Sequence, residues 1–306
     1  MNIKIKIHYM PWEVDYALLQ FMQLKKAAEH LSPDDKIYFE IGINLSSYIV
    51  NWEQSKLPKE FFINKFNALV KLIDWAEGRV TVYDGDELWG HLDLERDQIE
   101  SHIDYYMSIC PDMWFHEHSL FYLIEAAKQC KDKYFVITPE IHKLWDASWD
   151  ELVHDAYQSL PYEQWNQSDI FEIQRRAETL ETPFAQQTDR YKWAGWFDIY
   201  SKALVEKLIP IPAEWKGYGP WDFFGMVVSD IANKNGTPVK EYVLKNQIIF
   251  EYHPDKNDKS NFADYYKDML VLNKIENQRQ IIEAKFPYYI EQWKKNYDEI
   301  YNNNNN

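Results

Sequence analysis

Apolar positions at the start of the chain switch between two periods. Ile3, Ile5 and Ile7 alternate with Lys4 and Lys6, the period of a strand, and Pro11 ends the run. From Asp15 onward Leu18, Phe21, Met22, Ala28 and Leu31 recur at helical spacing, which predicts a helix packed by that face. Ile37, Phe39, Ile41 and Ile43 alternate as a second strand. Beyond Pro58, the residues Phe61, Phe62, Phe66, Leu69, Val70 and Ile73 mark a second helical face. Short apolar runs at 80–83, 105–109 and 134–138 predict a third, fourth and fifth strand, and 247–252 a late one.

Strands alternating with helices argue for βαβ units, hence an α/β fold with a mainly parallel central sheet and helices on both faces. In such sheets a ligand lies beyond the carboxyl ends of the strands. That rule puts the loops at 11–15, 44–47, 84–86 and 110–112 on one rim. Between 144 and 192 the pattern loosens into polar and aromatic sequence, and order returns at 192–212 and 216–236. Residues 262–301 read as amphipathic helices broken at Pro287, and the terminal run of asparagines as a disordered tail.

Composition narrows the class. A length of 306 residues with 46% hydrophobic content supports a sizeable core. A net charge of −16, with no basic stripe, argues against nucleic acid as a partner, because phosphate backbones are bound by clustered Lys and Arg. Aromatic residues reach 17%, which suits both ordinary cores and stacking on sugar rings. Cys110 and Cys130 form no disulfide framework, as expected of a reducing compartment. The N-terminus lacks an apolar signal core, and no run approaches the roughly 18 apolar residues of a membrane span. The expectation is a cytoplasmic protein, with peripheral membrane contact left open.

Several clusters carry candidate chemistry. Asp84 and Asp86 flank a glycine, as in a metal-binding pair or a plain turn. Asp112 follows a buried strand, where it can ligate a hard cation through oxygen or cap the next helix. His116 and His118 invite a zinc reading, but on a helix they would face different sides, which favours surface or capping roles. Asp222, after the glycines of Gly217 to Gly219, sits where a general base or a helix cap would serve. His253 follows a strand and precedes Pro254, consistent with a metal ligand or a turn residue. No phosphate-cradling GxxxxGK[ST] loop or GxSxG nucleophile elbow is present.

Read in order, these pieces resemble GT-A-type glycosyltransferases of the family 2 kind, within the nucleotide-diphospho-sugar transferase superfamily. The residues carrying the resemblance are IKIHYMPWEVDYALLQF at the start, Gly90 and Arg96 before Ile109-Cys110-Pro111-Asp112, and later GYGPWDFFGMVVSDIANKNG. It covers roughly Met1 to Tyr252. Three departures stand out: Cys110 replaces the first Asp of the Asp-x-Asp motif, Trp221 replaces the acidic partner of Asp222, and INLSS, with Asn44 second, stands where the family carries Asp residues for the nucleotide base.

The resemblance implies a GT-A-like domain over 1–255, with a nucleotide-sugar half over about 1–140 and an acceptor half over about 141–255. A helical extension over 256–301 and a tail at 302–306 would follow. It also implies transfer of a sugar from a nucleotide-diphosphate donor to a glycan or glycoconjugate acceptor. Mn2+ or Mg2+ would sit on Asp112 with help from His253, and Arg96 would support the donor. Pro11, Glu13, Asn44, Asp84 and Asp86 would serve the nucleotide. Asp222 would be the base if the enzyme inverts, and Trp196 and Trp221 would be acceptor platforms. The competing expectations are a non-catalytic carbohydrate- or nucleotide-binding protein on the same scaffold, and a glycoside hydrolase, since paired carboxylates also suit glycosidic cleavage.

Overall fold

A computed structural model of the chain describes residues 1–9, 14–44, 58–72, 75–83, 99–143, 170–188, 197–208 and 239–251. Within them lie nine strands: β1 (Asn2–Tyr9), β2 (Lys36–Asn44), β3 (Glu77–Tyr83), β4 (Tyr105–Ile109), β5 (Met113–Phe115), β6 (Phe135–Lys143), β7 (Phe184–Thr188), β8 (Phe197–Ser201) and β9 (Lys240–Glu251). Five helices accompany them: α1 (Val14–Ala28), α2 (Lys59–Val70), α3 (Ser119–Gln129), α4 (Ile170–Leu180) and α5 (Lys202–Leu208). No described helix is long and apolar enough to cross a membrane.

The α/β class expected from the sequence is the one adopted. All nine strands join one sheet in the order β3-β2-β1-β4-β8-β6-β9-β5, with β7 also pairing with β9. Strands β3, β2, β1 and β4 run parallel, as successive βαβ units require. Beyond β4 the sheet is mixed. β8 is antiparallel to β4 and to β6, β6 and β9 are parallel, and β5 and β7 run antiparallel to β9.

This order forces the sheet to curl. Four strand spacings separate β4 from β5 along the sheet, about 19 Å if it were flat. The chain from Ile109 to Met113 can bridge only about 14 Å. The far end of the sheet therefore folds back toward the end of β4, and Phe115 of β5 meets Phe197 of β8 with ring centroids 4.6 Å apart.

The core follows the strand alternation. Ile3, Ile5 and Ile7 are fully buried between flanking strands, and α3 buries Leu120, Leu123, Ile124 and Ala127 at helical spacing. Helix α1 is turned relative to expectation. It buries Ala17, Gln20, Phe21, Leu24 and Ala27, whereas Leu18 and Met22 remain exposed. The reason is polar: the buried Gln20 accepts from the Tyr9 hydroxyl at 2.5 Å and donates to the Cys110 carbonyl at 2.7 Å. A reading by apolar spacing alone has no term for that.

The lysine face of β1 also departs from a simple polar-out pattern. Lys4 and Lys6 are buried, and Lys4 Nζ lies 2.7 Å from Glu40 of β2 and 2.6 Å from Glu100. Arg79 of β3 reaches the other Glu40 oxygen at 2.8 Å. Burial by itself would raise the Glu40 pKa, but Lys6, Lys4 and Arg79 outweigh it and hold the carboxyl below its ordinary value of 4.5. Glu100 is lowered in the same sense, chiefly by Lys4 against its own desolvation.

A group with a depressed folded pKa adds stability above its unfolded pKa and loses it as pH falls through the folded value. Stability contributed by Glu40 and Glu100 is thus expected to be constant above about pH 5 and to fall away below about pH 4. Urea titrations across that range check it. If Glu40→Gln left the acid slope unchanged, these carboxylates would not be its source.

Candidate functional site

The parallel strands define where a ligand would bind. After β1 the chain moves outward to β2 and β3, then returns to place β4 on the other side of β1. Such a reversal opens a crevice at the carboxyl ends of the two central strands. Register places Ile7 beside Ile109, so Tyr9 and the turn that follows β4 both emerge at this point.

That turn is Cys110-Pro111-Asp112. The Met113 amide donates to the Cys110 carbonyl at 3.2 Å, and Gln20 Nε2 donates to the carbonyls of Cys110 and Pro111 at 2.7 and 3.4 Å. Tyr9, Gln20 and the turn thus form one chain linking β1, α1 and β4. Asp112 is half-buried. It does not cap a helix, because β5 begins at the next residue and α3 only at Ser119. Of the two sequence expectations for Asp112, helix capping is therefore removed.

Pairing of β5 with β9 adds a second strand end. Met113 lies opposite Glu251, so the residue next to Asp112 sits beside the end of β9. His253 follows Glu251 by two positions in the sequence. Asn44 closes β2 on the same rim. Pro11, Glu13, Asp84, Asp86, Arg96, Trp196, Trp221, Asp222 and His253 lie outside the described residues, as does the stretch 252–306.

Two groups of side chains were not legible as clusters in the sequence. The first is the Tyr9-Gln20 link, whose only sequence signal is a polar residue at a helix position four before Leu24. The second involves His116 and His118. They do not lie on a helix: both precede α3, with His118 at its N-cap position, so the argument from opposite helix faces does not apply. Burial pushes the His116 imidazole below the ordinary histidine range, although Glu178 beside it pulls the other way. Surface clefts of about 570 and 590 Å³ lie elsewhere, one beside Cys130 and Tyr242 and one between α1 and His116.

No family model and no curated protein matches the chain. Among solved structures it is similar to GalNAc-T7 with UDP, GalNAc and Mn2+, at 10% identity and a TM-score of 0.49, over 83% of this chain and 44% of that one. A second is S. aureus TarS 1-349 in complex with UDP-GlcNAc, at 8% identity and 0.41, over 84% and 61%. A mycobacterial protein matches at 9% identity and 0.40, over 82% and 67%. Across such matches the chain spans from 39% to 67% of the other protein's length.

Proposed function

We propose that the chain is a GT-A-type glycosyltransferase that binds a nucleotide-diphospho-sugar at the rim between β1 and β4 and transfers the sugar to a glycan or related acceptor. The observation that carries this reading is the strand register. It brings the Asp112 turn, fixed by Gln20, to the switch point of a parallel sheet and beside the end of β9. The sequence motifs quoted above support it independently.

The donor set suits a hard cation. One carboxylate at the turn, with His253 beyond β9 and diphosphate oxygens from the donor, is a reasonable sphere for Mn2+ or Mg2+. Such an ion would neutralise charge on the departing diphosphate. Arg96 would add a second positive charge there. Pro11, Glu13, Asn44, Asp84 and Asp86 would contact the nucleotide, and Trp196 and Trp221 would stack on the acceptor. Asp222 would take the proton from the attacking hydroxyl if configuration is inverted.

A thermal-shift screen of nucleoside diphosphates with and without Mn2+ tests the reading. Metal-dependent stabilisation is expected, because a ligand that binds only the folded state raises the unfolding temperature. Asp222→Asn should then abolish sugar transfer while preserving that shift. A nucleotide shift in the parent without any transfer would leave a binding protein, and no shift with any nucleotide would remove the donor site altogether.

A further inference from the structure

His116, His118 and Glu178 meet at the opposite end of β5 from Asp112, roughly 13 Å away along an extended strand. His116 Nδ1 lies 3.5 Å from Glu178 Oε1, and His118 Nδ1 lies 3.8 Å from Oε2. The two imidazoles cross edge-on with centroids 5.0 Å apart. One ligand atom from each of the three residues falls within 4.8 Å of the others.

Two features distinguish this group from a surface ion pair. The backbone amide of His118 donates to His116 Nδ1 at 3.3 Å, and a ring nitrogen that accepts a hydrogen bond carries no proton of its own. His116 is thus a neutral imidazole, the form that ligates a metal, and an ion bound at Nδ1 takes over the lone pair that the His118 amide holds. The Glu178 carboxylate is also held in place. Gln174 and Gln247 both donate to its Oε1, at 3.2 and 3.0 Å.

Those two amides are themselves anchored. Gln174 accepts from the Ile248 amide at 2.6 Å, and both side chains donate to the Asn246 carbonyl at 3.2 Å. Asn246 sits at φ 65° in the irregular stretch of β9, where the register against β6 shifts. The bulge thus presents Glu178 toward the histidines, in the way supporting hydrogen bonds orient the ligands of a metal.

We propose that His116, His118 and Glu178 form a zinc site, with a fourth coordination position open to solvent beside the partly exposed His118. Zinc bonds to nitrogen and oxygen of about 2.0–2.1 Å imply ligand separations of about 3.3 Å in a tetrahedron. The observed 3.5 and 3.8 Å run to the two different Glu178 oxygens and exceed that by half an ångström at most, and the three ligand atoms all lie within 4.8 Å of one another, so binding draws the group together around the ion. Two imidazoles favour zinc over Mg2+ or Mn2+. The ion would tie the head of α3 to α4. His30 and Glu117 form a rival set around His118, but their side chains are 36% and 42% exposed, against 11% and 14% for His116 and Glu178.

Zinc titration of the chelator-treated protein by calorimetry tests the site, with Co2+ as a spectroscopic probe of tetrahedral geometry. One equivalent of zinc should bind and raise the unfolding temperature. Glu178→Gln and His118→Ala should each weaken it at least about 100-fold, since losing a ligand exceeds the 10–100-fold cost of a lost supporting group. His30→Ala, and Asp112→Ala at the other site, should keep the equivalent. Circular dichroism confirms that each variant is folded. The proposal is overturned if the parent takes up no zinc, if both Glu178→Gln and His118→Ala retain parental affinity, or if His30→Ala loses zinc while Glu178→Gln keeps it.

Discussion

Lys4→Met should lower the unfolding free energy by about 3 kcal/mol, the lower end of the 3–5 kcal/mol seen when one partner of a buried ion pair is removed. The Lys4 and Glu40 side chains are only 3% and 1% exposed, so neither charge can turn to water. Methionine fills a similar volume, which limits any cavity contribution. Glu40 then keeps the buried Lys6 and the 44% exposed, solvent-screened Arg79, and this is why the lower end applies.

The double variant Lys4→Met, Glu40→Leu is expected to recover part of the loss, because it removes the stranded Glu40 charge but takes that carboxylate from Lys6 and Arg79 and leaves Glu100 without Lys4. Urea denaturation of the parent, the single and the double variant measures all three. A loss below about 1 kcal/mol for Lys4→Met, or a double variant worse than the single, would mean that the cluster is not held by this pair.

That pair shows where the sequence stopped being informative. Alternation of Ile3, Ile5 and Ile7 identified β1 and one buried face, since period two is set by the pleat itself. The same alternation says nothing of the burial of Lys4 and Lys6. It cannot see that their partners, Glu40 and Glu100, arrive from β2 and from the approach to β4. Helix α1 repeats the lesson. Its existence was legible from Leu18 through Leu31, although the helix stops at Ala28, and its rotation depends on Gln20, a polar core residue whose partners are Tyr9 and the distant Cys110.

The candidate sites divide along the same line. The strand end that carries Asp112 was legible because a strand followed by Cys-Pro-Asp is a local pattern. The short β5 that carries the chain away from it was not, since three residues of MWF contain no period to read. Missing β5 made His116 and His118 look like helix residues. Glu178 had no visible connection to them, because it arrives from α4, and the hydrogen bonds that aim it come from the bulge in β9.

Asp112→Ala is expected to weaken Mn2+-dependent binding of a nucleoside diphosphate about 100-fold, at least as much as losing a group that supports a metal ligand. The effect should be large because the proposed sphere holds one protein carboxylate. Among the described residues, Asp112 belongs to no group of three metal-ligating side chains. Cys110 offers a soft sulfur where a hard cation prefers oxygen. The substrate diphosphate must then supply much of the coordination, and one missing carboxylate is a large share of what remains. With the metal chelated, parent and variant should bind the nucleotide equally and weakly, since base and ribose contacts do not pass through Asp112. Calorimetry under both conditions separates the outcomes. Equal binding in Mn2+ would show that the carboxylate holds no ion, and a deficit that persists in chelator would assign it to the nucleotide instead.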